Sequence, residues 1–279
     1  MTATEGRARP ESRQMRVSEV RICGYDVRVA VWPGSSAQPP LLMFNGIGVS
    51  FELLVPLADA LGDIEVIAFD VPGSGGSIPP RFPYRLWMVA VLAGRLVYRL
   101  GYHQVDVLGV SWGGAAAQQF AIQHPRLARR LILAATSPGV LMIPPSPSVL
   151  AKFLSPRRFN DPEYRRRIAG EIYGGRARDN VDVLQWFRPT SRRGYLYQQL
   201  ALVGWSSLPW LPLVRQPTLV LAGDDDPVIP LANARLIAAA IPNSRLRVIP
   251  DGHLFLVSSA AESGQCVGEF LRADMEERT

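Results

Sequence analysis

The chain has 279 residues, 48% hydrophobic and 19% charged, which supplies a sizeable core and excludes the composition of a disordered protein. Its formal charge of +6 comes almost wholly from scattered arginines, with Lys152 the single lysine. No zinc-finger, helix-turn-helix or RNP-type pattern accompanies that charge, so the reading carries no nucleic-acid partner. Cys23 and Cys266 are the only cysteines, too few for a disulfide framework or a metal motif, which fits a reducing, cytoplasmic setting.

Residues 1–16, "MTATEGRARPESRQMR", are polar and lack the apolar stretch of a secretory leader; they read as a flexible tail. "VRICGYDVRVAVW" alternates and turns at Gly24, the pattern of an antiparallel hairpin. "LLMF" is a short apolar strand ending in "NGIG". "FELLVPLADAL" has helical spacing, and "EVIAFD" is a further strand running into "VPGSGGS". Tyr84 to Leu100 reads as a helix; its apolar run Leu86–Gly94 is far too short to span a bilayer, so no transmembrane segment is predicted. "VDVLG" is a strand, "WGGAAAQQFAIQ" a helix stopped by Pro125, and "RLILAAT" a strand. Later come the strand "PTLVLAG", the helix "LANARLIAAAI", the strand "RLRVIP" and a closing helix from about Val257.

Short apolar strands alternating with helices require crossover connections, so the predicted fold is α/β: a mostly parallel sheet with helices on both faces. One interval breaks the rhythm. About eighty residues separate "LILAAT" from "PTLVLAG", where one crossover needs only about a dozen. The interval is rich in proline, in arginine and in aromatics, including Trp186, Phe187, Tyr195, Tyr197, Trp205 and Trp210. It is predicted to be a helical cap inserted after the sixth strand, over residues 138–212, with the core split into 17–137 and 213–279. Most of those aromatics are expected to form the cap's own core.

"GVSWGG" places Ser111 between a strand and a helix, the context in which a G-x-S-x-G stretch becomes a nucleophile elbow. The turn is strained, so its neighbours must be small. The helix behind it points free amides at the same place. A serine hydroxyl needs a base. Of three histidines, His103 lies before a strand and His124 at the far end of the helix that Ser111 begins. Only His253, in "DGHLFL" after the last strand, is on the serine's edge of the sheet. The base needs a carboxylate; "LAATSPG" has none, whereas "LAGDDDPVIP" has three. Asp226 is the candidate, with Asp224 and Asp225 capping the turn or facing solvent. The order Ser111, Asp226, His253 is that of the α/β-hydrolase arrangement. Oxyanion donors are expected from the backbone N–H groups of Trp112 and of Ile47 in "NGIG", for which a plain glycine turn is the competing reading. "DVPGSGGS" lacks the spacing and lysine of a phosphate loop and reads as a structural turn, with Ser74 and Ser77 at most lining the site.

Together "LLMFNGIG", "EVIAFDVPGSGGS", "GVSWGGAAAQQFA", "VRQPTLVLAGDDDPVIPL", "IPNSRL" and "DGHLFLV" resemble the intracellular poly(3-hydroxyalkanoate) depolymerases, α/β-hydrolases that degrade storage polyester. The similarity runs from Arg21 to Phe270 and includes "YGG" at Tyr173 to Gly175 and "GWSSLPWL". It implies Ser111 as nucleophile, Asp226 as acid and His253 as base, with no metal or other cofactor. It also implies a polyester granule surface as partner and a granule-associated, cytoplasmic location. The alternatives on this scaffold are a carboxylesterase, lipase or lactonase of small soluble esters, and a haloperoxidase-like or C–C bond hydrolase. From another class comes a non-catalytic binding module that kept the fold.

Overall fold

The computed structural model describes residues 14–155, 157–180, 182–187 and 190–273, so most of the sequence-predicted tail lies outside the described residues. Strand β1 (Arg16–Ile22) takes the tail's last residue and forms an antiparallel hairpin with β2 (Tyr25–Trp32). Cys23 and Gly24 make the turn with φ of 51° and 82°. Then come β3 (Leu41–Phe44), α1 (Val55–Ala60), β4 (Val66–Phe69), α2 (Leu86–Arg99), β5 (Val105–Val110), α3 (Trp112–Gln123) and β6 (Ala128–Ala134). Four helices follow: α4 (Pro147–Leu154), α5 (Arg157–Asn160), α6 (Pro162–Tyr173) and α7 (Arg192–Leu202). The remaining elements are β7 (Thr218–Gly223), α8 (Leu231–Ala240), β8 (Ser244–Ile249), α9 (Phe255–Ser258) and α10 (Ala260–Arg272).

The eight strands form one sheet in the order β1-β2-β4-β3-β5-β6-β7-β8. Every pairing from β4 to β8 is parallel, and β2 joins β4 antiparallel. Successive side chains leave a strand on opposite faces. Leu42, Phe44 and Val107 therefore pack with Leu92 and Leu96 of α2 and Phe120 of α3. Leu41, Met43 and Leu108 face the other way, onto Leu57 of α1 and Val267 and Leu271 of α10. Each fully buried Leu or Phe contributes roughly 1.5–3 kcal/mol. Surface pairs such as Arg21–Asp26 and Arg272–Asp63 contribute about 0–1 kcal/mol each. The two apolar layers hold the fold, and the exposed ion pairs decorate it.

The closing helix departs from expectation. It is broken at Ser259 into α9 and α10, because the hydroxyls of Ser258 and Ser259 both donate to Asp251, at 2.6 Å. The "DVPGSGGS" turn wraps around the buried Asp70, whose carboxylate accepts from the N–H groups of Phe51 and Gly76 and from Arg28. Burial pushes the Asp70 carboxyl up to about 6.

The glycines of "GVSWGG" have a packing reason. A Cβ on Gly109 would lie 2.2 Å from the Gly113 carbonyl oxygen, and one on Gly113 would lie 2.2 Å from that of Phe44. On Gly114 it would meet Thr136 Oγ1 at 2.3 Å. These contacts let α3 start against the ends of β3, β5 and β6. Gly113→Ala is accordingly expected to destabilise the protein by about 1–3 kcal/mol through overpacking against backbone, read as a lowered urea midpoint at unchanged slope. An unshifted midpoint would contradict that packing.

Candidate active site

All the parallel strands point the same way, so the loops after β3, β5, β7 and β8 meet at one edge of the sheet. Asn45 to Gly48, Ser111, Asp226 and His253 lie in those loops. His103 precedes β5 and packs against Tyr98, while His124 bonds to the Ala90 carbonyl at 3.1 Å; neither reaches that edge.

Ser111 has φ 56° and ψ −121°, a left-handed conformation that costs a non-glycine residue about 1–3 kcal/mol. Its backbone is fixed on three sides. The N–H donates to the Ala134 carbonyl (2.9 Å), and the carbonyl accepts from Thr136 Oγ1 (2.7 Å) and Gly114 N–H (2.9 Å). Its side chain makes no capping bond to α3 and stands free of the helix. Ser111 Oγ lies 3.2 Å from His253 Nε2, and His253 Nδ1 lies 2.7 Å from Asp226 Oδ2. With Nδ1–H donating to the carboxylate, the neutral ring presents Nε2 as an acceptor to the serine hydroxyl. Asp226 Oδ1 accepts from Val228 and Ile229 N–H, each at 2.9 Å, so both carboxylate oxygens are aimed. Asp226 and His253 are buried.

The three adjacent carboxylates after β7 separate as their surroundings differ. Asp224 is exposed. Asp225 is exposed as well, and it receives a bidentate Arg178 at 2.9 and 3.0 Å and the Gly175 N–H at 2.7 Å; Arg178 holds its carboxyl below the usual range.

In the loop after β3, Gly46 N–H donates to Asn45 Oδ1 (2.8 Å) and Gly48 N–H to Gln198 Oε1 (2.9 Å). Among the described residues no such bond occupies the N–H of Ile47 or that of Trp112. A Cβ built on Gly46 would be 3.7 Å from Ser111 Cβ, so this loop runs directly beside the serine. Ser74 and Ser77 do not line the pocket around Ser111; Ser77 instead donates to the Asp70 carbonyl at 2.8 Å.

The segment between β6 and β7 is tied to this edge by contacts that no local pattern announces. Gly174 and Gly175 press so closely that added Cβ atoms would lie 1.9 Å from the Asp225 carbonyl oxygen and from Gly252 N. The Tyr173 carbonyl accepts from His253 N–H at 2.6 Å, and its ring stacks on the imidazole at 6.4 Å between centroids. Gln198 on α7 is buried; its carbonyl accepts Trp112 Nε1–H at 2.8 Å while its side chain holds Gly48. Trp205 Nε1–H donates to Gln119 (2.7 Å) and Tyr197 to the Arg81 carbonyl (3.2 Å). Tyr197 and Trp205 thus fasten the segment to the sheet, whereas Phe187 joins a separate apolar cluster with Ile168, Ile172 and Tyr173. Nothing in helical spacing marks Gln198 or Asp251 in the sequence. The adjacent glycines after α6 were the one visible sign of a close approach.

The pocket beside Ser111 has a volume of about 40 Å³ and mostly apolar walls, including Val49, Leu53, Val110, Phe153, Phe187 and Leu254. Among the described residues no group of three or more His, Cys, Asp or Glu is placed to hold a metal ion. No described helix is long and apolar enough to cross a membrane.

A family model described as the alpha/beta hydrolase fold matches residues 39–260. A poly(3-hydroxyalkanoate) depolymerase of Ectopseudomonas oleovorans is 48% identical over 262 residues, 92% of this chain and 93% of that protein. A 3-oxoadipate enol-lactonase of Acinetobacter baylyi is 24% identical, covering 79% of this chain and 84% of that one. Among solved structures, a hydrolase of Pseudomonas aeruginosa superposes with a TM-score of 0.77 at 25% identity, over 91% of this chain and 98% of that one. An esterase of Exiguobacterium antarcticum reaches 0.79 at 21% identity, over 91% and 99%, a likeness of fold.

Asp251 lies buried in the loop before His253. Burial alone would raise its carboxyl, but bonds from Ser258, Ser259 and the N–H groups of Arg176 and Gly252 pull it below the ordinary range. A depressed folded-state value stabilises the protein above roughly pH 4, the unfolded value, and that contribution fades as pH falls through the folded value. The melting-temperature gap between wild type and Asp251→Asn is therefore expected to be widest near neutrality and to shrink below about pH 4. A gap that is constant with pH would contradict the assignment.

Proposed function

The chain belongs to the alpha/beta hydrolase fold family and is an ester hydrolase of the poly(3-hydroxyalkanoate) depolymerase-like kind; from that premise we propose that it cleaves storage polyester through a serine acyl-enzyme. The observation that carries the mechanism is the continuous chain Ser111–His253–Asp226, with links of 3.2 and 2.7 Å. His253 Nε2 takes the hydroxyl proton as Ser111 Oγ attacks the ester carbonyl carbon. Asp226 steadies the imidazolium that forms. The oxyanion is received by the backbone N–H groups of Ile47 and Trp112, each such donor being worth about 3 kcal/mol of barrier. The imidazolium then protonates the departing alkoxide. In the second half, His253 deprotonates water, which attacks the acyl carbon and frees Ser111.

The relative at 48% identity over almost the whole chain supports the polyester as substrate. In this reading residues 138–212 act as a cap over a core of 17–137 and 213–279, and the enzyme works in the cytoplasm at the polyester granule surface. The mostly apolar walls of the pocket suit an aliphatic acyl group. They equally favour a second reading, hydrolysis of small soluble esters or lactones.

Purified granules and p-nitrophenyl esters separate the two. The expected result is release of 3-hydroxy acids from granules, identified by mass; turnover of the soluble esters with intact granules would favour the second reading. Ser111→Ala is expected to lower turnover by roughly four orders of magnitude or more and to abolish labelling by a fluorophosphonate. Asp226→Asn should lower kcat by about 10⁴-fold, because the ring loses the acceptor that sets its tautomer. A Ser111→Ala protein that still hydrolyses esters at the wild-type rate ends the serine mechanism.

A further inference from the structure

Helix α7 has two faces of opposite character. Gly194, Gln198 and Ala201 are buried, and Gln198 holds the loop beside Ser111. Leu196, Leu200 and Val203 fall on the other side, at the i, i+4, i+7 spacing of one stripe, and all three are exposed. The segment leading into α2 runs alongside. Tyr197 donates to the Arg81 carbonyl at 3.2 Å, Arg193 to that of Pro79 at 3.2 Å, and Arg85 to those of Leu200 and Val203 at 3.1 and 3.0 Å. These bonds bring the segment that carries Ile78, Phe82 and Trp87 against α7. Phe82 is 70% exposed and Trp87 54%. Large apolar side chains grouped in this way and turned to solvent mark an interaction surface.

The charge around the patch says what covers it. Arg81, Arg85, Arg192 and Arg193 are exposed, and residues 71–105 and 183–223, which carry both sides of the patch, contain no Asp or Glu. The carbonyls that Arg85 and Arg193 reach are neutral, so those guanidinium groups keep their charge. Two copies meeting through this face would set like charges against each other. The polyester chain is uncharged along its length and would strip water from the arginines without return. An anionic phospholipid monolayer answers both parts: its acyl layer receives the apolar side chains, and its phosphates receive the guanidinium groups. We propose that this face of α7, with the 78–87 segment, docks the protein onto anionic phospholipid at the polyester granule. The inference deepens the granule partner of the proposed function and rests on that reading for its setting. Docking here leaves the buried face of α7, with Gln198, turned toward the Ser111 edge, one helix thickness of about 10 Å away.

The test uses the full chain and co-sedimentation with vesicles of mixed phosphatidylglycerol and phosphatidylcholine, against vesicles of phosphatidylcholine alone. Wild type is expected to bind the anionic vesicles at least about tenfold more tightly, and added salt should weaken that binding. The double variant Arg81→Gln/Arg192→Gln should lose about thirtyfold in affinity for them, at roughly fivefold per arginine. Phe82→Ser/Leu200→Ser should lose at least about tenfold on the same vesicles. None of these four residues lines the pocket around Ser111, so both variants should keep the wild-type melting temperature and turnover of p-nitrophenyl butyrate. Equal binding to the two vesicle types overturns the proposal, as does wild-type affinity kept by both variants. A concentration-dependent dimer by light scattering, with no vesicle binding, assigns the face to a second copy and overturns it too. Vesicle binding with no 3-hydroxy acid released from granules leaves the lipid-docking face standing and removes the polyester reading. Release from granules without vesicle binding does the converse.

Discussion

A hydroxyl can stand clear of a sheet edge only where the backbone beneath it folds back tightly, and here that fold is made at Ser111. The positive φ is held by hydrogen bonds to Ala134, Thr136 and Gly114. It is permitted by three glycines whose missing Cβ atoms would each strike a neighbour. The strain of roughly 1–3 kcal/mol is small against the two apolar layers that press β5 and α3 together. The core therefore enforces a conformation that the local chain would not choose. Everything at the edge, including the approach of the β3 loop through Gly46, depends on that enforced turn.

The histidine is held differently, by the insertion rather than by the sheet alone. Its N–H bonds to the Tyr173 carbonyl, and the loop before it is closed by Asp251, which collects the hydroxyls of Ser258 and Ser259 and the N–H of Arg176. Gly175 approaches Gly252 too closely for any side chain. On the other flank α7 reaches both the β3 loop and the elbow through Gln198. The helices between β6 and β7 are thus part of the frame that aims the site. Displacing them would disturb the imidazole and the loop beside the serine together.

The strand-helix alternation, the sheet edge and the grouping of Ser111, Asp226 and His253 were legible because they follow from short-range facts. Period, turn glycines and the direction of parallel strands put each residue on an edge. Burial then separates Asp226 from Asp224 and Asp225, a distinction the "DDDP" spacing suggests, with His253 as the partner. What stayed hidden are pairings between segments far apart in the chain. Gly48 meets Gln198, Gly175 meets Asp225 and Gly252, and Arg129 holds the buried Asp106 at 2.8 and 2.5 Å. No periodicity encodes such contacts. The break between α9 and α10 is of the same kind, set by where Asp251 lies and not by helix propensity.

Tyr173 touches His253 and Arg158 at once. Its carbonyl positions His253, while its phenol accepts from Arg158 in the same pocket. Its ring lies nearly parallel to the imidazole, at 14°. The two glycines that follow Tyr173 pack against Asp225 and Gly252 too tightly to carry a side chain, and this close approach seats the Tyr173 carbonyl beside His253.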